Sequence, residues 1–263
     1  MAASVRYRPL TTMAEFEQAA DLELTIWGGD MRDAVPAHVM RAIEHAGGLI
    51  LGARIDAAPD VPLVGISISL PARRDPGWAL WSHLTGVHPD HQGRGIGFGL
   101  KQAQRAWALD HGFDTIRWTF DPLLRGNANF NLNRLGAQGD RYHVNLYGEM
   151  RDTINVNAPS DRMEVVWAVH GPGARSDDIG HVALMVLLSI DADDQPHRHN
   201  LPTSSLPYVV HIPRDLRKLP AASVLTWRLA LREVMQTAFA QGYVATHFVE
   251  MPDRSFYVLR QLQ

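Results

Sequence analysis

The residues best suited to chemistry lie in one short run, His88-Pro89-Asp90-His91-Gln92-Gly93-Arg94-Gly95-Ile96-Gly97-Phe98-Gly99. It falls between a predicted strand, Trp78 to Val87, and a predicted amphipathic helix, Phe98 to His111, which closes at Gly112. The first turn of a helix has N–H groups with no intrahelical partner and carries the positive end of the macrodipole. An anion can therefore be held there by backbone alone. Glycines let the chain come close to such a ligand and adopt dihedral angles closed to other residues. A diphosphate is the natural occupant, and Arg94 adds a fixed charge with a donor fork. The string is no P-loop, because GxxxxGK[ST] occurs nowhere in the chain. It is no dinucleotide fingerprint either, because its glycines run GxGxGxG. A third pattern, Q/R-x-x-G-x-G/A after a strand ending Val-x-Pro, matches at Val87, Pro89, Gln92, Gly95 and Gly97. A glycine-rich turn without a ligand is the alternative.

On those residues the segment LTGVHPDHQGRGIGFGLKQAQ resembles the acyl-CoA loop and following helix of the GNAT superfamily of N-acyltransferases. The resemblance covers roughly Glu15 to Met150 and is most specific between Val87 and Gly112. It implies an α/β (α+β) fold: a mixed, mostly antiparallel twisted sheet flanked by helices. It also implies an acetyl-CoA or other acyl-CoA cosubstrate, with the pantetheine pairing to a splayed strand near Val87. The diphosphate would then lie on the amides of Gly93, Arg94, Gly95, Ile96, Gly97 and Phe98, beside Gln92. Lys101 and Arg105, one helical turn apart, are either contacts for the 3′-phosphate or solvated helix charges. The downstream pattern departs from the superfamily: Arg125, Leu132 and Ala137 stand where its Asn, Tyr and Phe are usual, while Ala128 and Gly136 match. The usual tyrosine acid is thus missing from its place.

Transfer of an acyl group from a thioester to nitrogen needs a neutral amine, so a base must take a proton from the ammonium. The carbonyl oxygen needs an N–H donor as charge develops on it. His83 is the preferred base: it lies four residues before Val87, strand alternation places 83, 85 and 87 on one face, and an ordinary imidazole pKa suits the task. His88 and His91 read as surface residues. Tyr147 and Tyr142 are the stand-in acids, and Glu149 is a further candidate base. Arg162 and Arg260, at strand edges, are candidates to clamp a substrate carboxylate. The acceptor is expected to be a small-molecule amine, with an amino acid as one option, and the acyl group to be acetyl or another short acyl such as succinyl. The alternative function is an acyl-CoA-binding or sensing protein without catalysis.

The elements that must position these groups read as a mixed α/β chain. Predicted helices cover Ala14 to Trp27 and His38 to His45, and strands cover Gly48 to Arg54, Val64 to Leu70, Phe113 to Phe120 and Arg141 to Met150. Ala128 to Leu135, with Asn at 127, 129, 131 and 133, fits neither type clearly. A composition shift at Thr153 to Asp161 suggests an acyl-CoA-binding domain, 1–152, and a C-terminal α/β domain, 153–263. The latter has predicted strands at Met163–His170, His181–Ile190, Tyr208–Ile212, Tyr243–Glu250 and Ser255–Arg260, with a helix at Ala221–Gln241. In both halves strand, loop, helix, glycine and strand follow in order, at a separation of roughly 125–130 residues. The second half is then either a degenerate second copy that lacks the phosphate loop or a recurrence common in α/β proteins. It could complete the sheet, cover the acceptor cleft or support a homodimer.

Composition sets the outer bounds. The chain has 263 residues, enough for one large domain or two modest ones. It has no cysteine, which excludes disulfides, zinc–thiolate sites and a cysteine nucleophile. A net charge of −3 argues against broad nucleic-acid binding. No apolar run reaches the roughly 18–20 residues needed to span a bilayer, and Met1 to Leu10 does not read as a signal peptide. A cytoplasmic location with no membrane partner is expected. Among the 13 histidines, His197-Arg198-His199 is a weak metal candidate, and no metal is expected.

Overall fold

The computed structural model describes residues 4–28, 34–55, 61–74, 77–148, 159–171, 183–200, 206–251 and 254–261. The chain divides into two compact units, Met1–Trp118 with Ala168–His170, and Thr119–Trp167 with Gly171–Gln263. The composition shift at 152/153 lies outside the described residues.

The first unit runs β1 (Val5–Pro9), α1 (Met13–Trp27), α2 (Ala37–His45), β2 (Leu49–Ile55), β3 (Leu63–Arg74), β4 (Gly77–Val87) and α3 (Ile96–Asp110) into β5 (Thr115–Phe120), whose last two residues belong to the second unit. Its strands lie in the order β1-β2-β3-β4-β5, antiparallel except for β4 and β5. Alternation along β2 and β3 sends side chains to two separate cores. Ile50, Ile66 and Ile68 pack with Phe16, Ala19, Leu22 and Met40 of α1 and α2. Leu49, Leu51, Ala53 and Val64 pack with Ile96 and Leu100 of α3. Helix α1 starts in a capping box, Thr12 with Glu15, which satisfies donors at its open end. Helix α3 approaches β1 so closely that a Cβ at Gly99 would overlap the Tyr7 hydroxyl.

The second unit contains α4 (Arg125–Asn129), β6 (Gln138–His143), β7 (Arg162–Ala168, its last residue in the first unit), β8 (Met185–Ile190), β9 (Pro196–Arg198), β10 (Tyr208–Ile212), α5 (Ala221–Ala240), β11 (Tyr243–Glu250) and β12 (Ser255–Gln261). The strand order is β7-β6-β11-β12-β10-β8-β9. Helix α5 buries Trp227, Leu231, Met235 and Ala238. The asparagine-rich stretch forms α4 followed by a π-helical turn, Phe130–Arg134. Buried Asn133 explains part of that composition: its amide nitrogen donates to the Phe248 carbonyl at 2.6 Å, and its oxygen accepts from the Phe248 N–H at 3.1 Å. The side chain thus stands in for a neighbouring strand. The predicted strand Arg141–Met150 is corrected to Gln138–His143, because the chain turns at Asn145, a non-glycine residue with positive φ (48°) whose N–H is capped by Asp161.

Candidate acyl-CoA site

Strand β4 has two properties that its sequence alone does not show. It pairs with β5 only at Leu80↔Ile116 and Trp81↔Arg117, so among the described residues Ser82–Val87 has no register with β5. Its register with β3 also shifts: Ile68 faces Leu84 while Ser69 faces Ser82, which leaves His83 as the additional residue of a β-bulge. The bulge breaks the expected alternation. Thr85 and Val87 share the α3 face, as shown by the 2.9 Å contact between the Thr85 and Ser67 hydroxyls and the packing of Val87 beside α3. His83 is out of step with them. Its side chain is exposed, yet surrounding protein atoms desolvate the ring and lower its pKa. The imidazole is thereby kept neutral, the form that accepts a proton.

After Val87 the chain turns through a short 3-10 segment, Pro89–His91, fixed by His88 Nδ1 accepting from the Asp90 N–H. The Gln92 amide nitrogen donates back to the Val87 carbonyl at 3.1 Å. Gly93 and Gly95 then take φ values of 74° and 81°, a region that strains any residue with a Cβ. These two turns lead into α3, whose N-cap, Gly95, offers no side chain to its first turn. The N–H groups of Gly93, Arg94, Gly95, Ile96 and Gly97 have no protein acceptor among the described residues. The Gly99 N–H bonds the Gly95 carbonyl at 3.0 Å, within the helical ladder. Arg94 is exposed beside this row of donors. Five consecutive amides stand open at the positive end of a 15-residue helix, an arrangement able to receive an anion.

No family model matches the chain, and no curated protein matches it in sequence. Solved structures do match. NAA60 from Arabidopsis thaliana, determined with acetyl-CoA, superposes with a TM-score of 0.50 at 13% identity, over 63% of this chain and 99% of that one. The chain has the GNAT N-acetyltransferase fold. The ribosomal-protein-S18-alanine N-acetyltransferase of Escherichia coli is similar at a TM-score of 0.49 and 13% identity, over 65% and 97% of the two chains. An acetyltransferase assigned to the GNAT family from Desulfovibrio desulfuricans is similar at 0.48 and 15%, over 63% and 99%.

Within the first unit the GNAT fold gathers His83, Val87 and Gln92 to Phe98 onto one strand–loop–helix segment. The other predicted groups lie in the second unit. Tyr147 is exposed, its hydroxyl 3.1 Å from that of Thr119 and its ring 5.6 Å from the Arg162 guanidinium carbon. Arg162 is buried and engaged with the Asp161 carbonyl and, at 4.0 Å, with Asp121. Arg260 pairs in register with Val244 on β12, three strands from β7. Tyr142 is committed as well: its hydroxyl donates to Asp161 at 3.0 Å, and burial followed by that carboxylate pushes its pKa up. Glu149 lies outside the described residues. Leu132 is fully buried in the π-helical turn.

Lys101 and Arg105 are corrected. Arg105 donates to the Val169 carbonyl at 2.8 Å. Lys101 is buried against the sheet, its Nζ 2.8 Å from Ser82 Oγ and 3.1 Å from Gln104 Oε1. The Gln104 amide nitrogen reaches the Ser69, Ser82 and Ser67 hydroxyls at 2.6, 3.0 and 3.1 Å. Among the described residues no carboxylate neighbours Lys101, and burial lowers its pKa to about 7. Lys101 and Gln104 fall on the same helical stripe as Ile96, Leu100 and Ala108, while three serines interrupt apolar strands. That coincidence was the available signal.

No group of three or more His, Cys, Asp or Glu side chains able to hold a metal ion occurs among the described residues. None of the described helices is long and apolar enough to cross a membrane.

Proposed function

We propose that the chain is an acyl-CoA-dependent N-acyltransferase that moves an acetyl or other short acyl group to a primary amine, with amino acids among the acceptors to be tested. The observation that carries this reading is the run of five amides, Gly93 to Gly97, without protein acceptors at the start of α3. They hold the diphosphate, and Arg94 adds charge. The pantetheine lies along Ser82–Val87, where β4 has backbone that β5 does not pair. Its amides bond there as an added strand would. The His83 imidazole takes a proton from the incoming ammonium. The amine nitrogen then attacks the thioester carbon, a C–N bond forms, and the oxyanion accepts from a β4 N–H at the bulge. Collapse breaks the C–S bond, and the proton that the former amine nitrogen sheds passes through water to the departing thiolate.

Calorimetry with acetyl-CoA tests the cradle. Micromolar binding is expected, and Gly95→Asp should abolish it by aiming a carboxylate at the diphosphate. Undiminished binding in that variant sinks the assignment. A thiol-release screen of amines and amino acids against acetyl-, succinyl- and longer acyl-CoAs identifies the substrates.

A second reading, acyl-CoA binding without transfer, is favoured by one observation. Leu132, where the superfamily usually has its tyrosine acid, is wholly buried and has no proton to give. The two readings separate on turnover in the wild type and in His83→Ala.

A further inference from the structure

Beyond the last paired positions of β4 and β5, Trp81↔Arg117, the next residues are Ser82 and Trp118. One side chain touches both. Lys101 reaches from α3, donates to Ser82 Oγ at 2.8 Å, and places Nζ 3.9 Å from the centre of the Trp118 ring. Among the described residues its only other polar partner is Gln104, which binds Ser67 and Ser69 of β3 as well as Ser82. All six groups are buried. A buried lysine without a carboxylate costs stability. Leucine or methionine would serve the core better if packing were its only role.

We infer that Lys101 is a positioning residue that wedges β4 and β5 apart at the vertex of their separation and, through Ser82, holds the bulge that carries His83. The inference rests on the proposed acyl-CoA reading and assigns a task within it. The diphosphate cradle lies at the far end of β4, beyond Val87, and does not touch Lys101. The pantetheine slot starts at the vertex that Lys101 occupies. The wedge therefore governs the part of the ligand that runs along β4 and leaves the nucleotide end alone.

The experiment compares CoA with adenosine 3′,5′-bisphosphate, which lacks the pantetheine arm, by calorimetry on the full chain. Lys101→Met keeps the length and loses both the hydrogen bonds and the charge. Ser82→Ala keeps the lysine and removes its contact with β4. Lys101→Met is expected to weaken CoA at least tenfold while the bisphosphate affinity stays within twofold, and Ser82→Ala should weaken CoA in the same direction by less. The retained bisphosphate affinity reports that the variant is folded. If Lys101→Met loses both ligands through misfolding, Ser82→Ala decides alone. CoA affinity unchanged in Ser82→Ala, or in a folded Lys101→Met, overturns the wedge while the cradle stands. A wild type that binds neither ligand overturns the acyl-CoA reading itself, and the wedge with it.

Discussion

The chain uses the order strand, loop, helix, strand twice, and the two instances bury a cation on the inner face of the helix in opposite ways. In the first unit α3 buries Lys101 among hydroxyls, an amide and a tryptophan ring, with no counter-charge. In the second, α5 buries Arg228, which forms a bidentate pair with Asp121 at 2.7 and 2.8 Å. One turn on, Arg232 grips Asp161 in the same manner. Burial alone would strip charge from both cations. At Lys101 it lowers the pKa to about 7, whereas the Asp121 carboxylate holds Arg228 charged and raises its pKa. The flanking strands differ too. β4 and β5 are neighbours that part, while β12 lies between β10 and β11 and pairs with both. The loops follow suit: glycines with open amides lead into α3, and Pro220 leads into α5. The first arrangement leaves backbone and charge unsatisfied in a way that suits a ligand. The second satisfies them internally, as a supporting structure does.

Three measurements test this contrast. The largest effect is expected at the bulge. His83→Ala should lower kcat by about 10²–10⁴-fold, the usual range for a lost general base, with acyl-CoA affinity unchanged. His211→Ala on β10, the strand that leads into the loop and helix of the second instance, should leave turnover within twofold. Equal losses in both variants would erase the distinction between the two halves. Next comes Arg228→Met, which takes the bidentate partner from the buried Asp121 carboxylate and leaves it the longer 4.0 Å contact with Arg162. About 3–5 kcal/mol of stability should be lost in urea unfolding, and a loss below 1 kcal/mol would show that the pair is not what satisfies this unit. The third is a pH effect of a few kcal/mol at most. Below pH 7 Lys101 is charged in both folded and unfolded chains, and the folded state bears the full cost of burying it. Between about 7 and the unfolded value of 10.5, only the unfolded chain keeps the proton, so raising pH favours folding. The wild type should therefore gain stability from pH 7 to 9, and Lys101→Met should gain less. Parallel curves for the two proteins would place a compensating anion beside Lys101.

Much of the first unit could be read from the sequence because its signals are local. Glycine spacing, a strand before it and a helix closing at Gly112 are short-range features, and the loop and α3 lie within two residues of their expected places. What depends on pairing between distant segments was not legible. The bulge at His83 exists only in register with β3, so alternation along β4 by itself misplaced the ring. Lys101 was read by its charge rather than by its stripe, and the serine that receives it lies 19 residues away on another element. Asparagines near 131 looked like poor helix material because their partner, β11, lies over 100 residues downstream. Arg162 looked exposed at a strand edge until Asp121 and Asp161 enclosed it.

The contact between Gly99 and Tyr7 carries a consequence for anyone altering this protein. A tyrosine near the amino terminus fills the space that a side chain at position 99 would need, so the first strand indexes the helix that presents the amides. A side chain at 99 requires Tyr7 to swing aside, so libraries randomised there should favour glycine and admit more residues when position 7 is shortened in the same clone. Trimming the first strand should likewise loosen the proposed grip on the ligand.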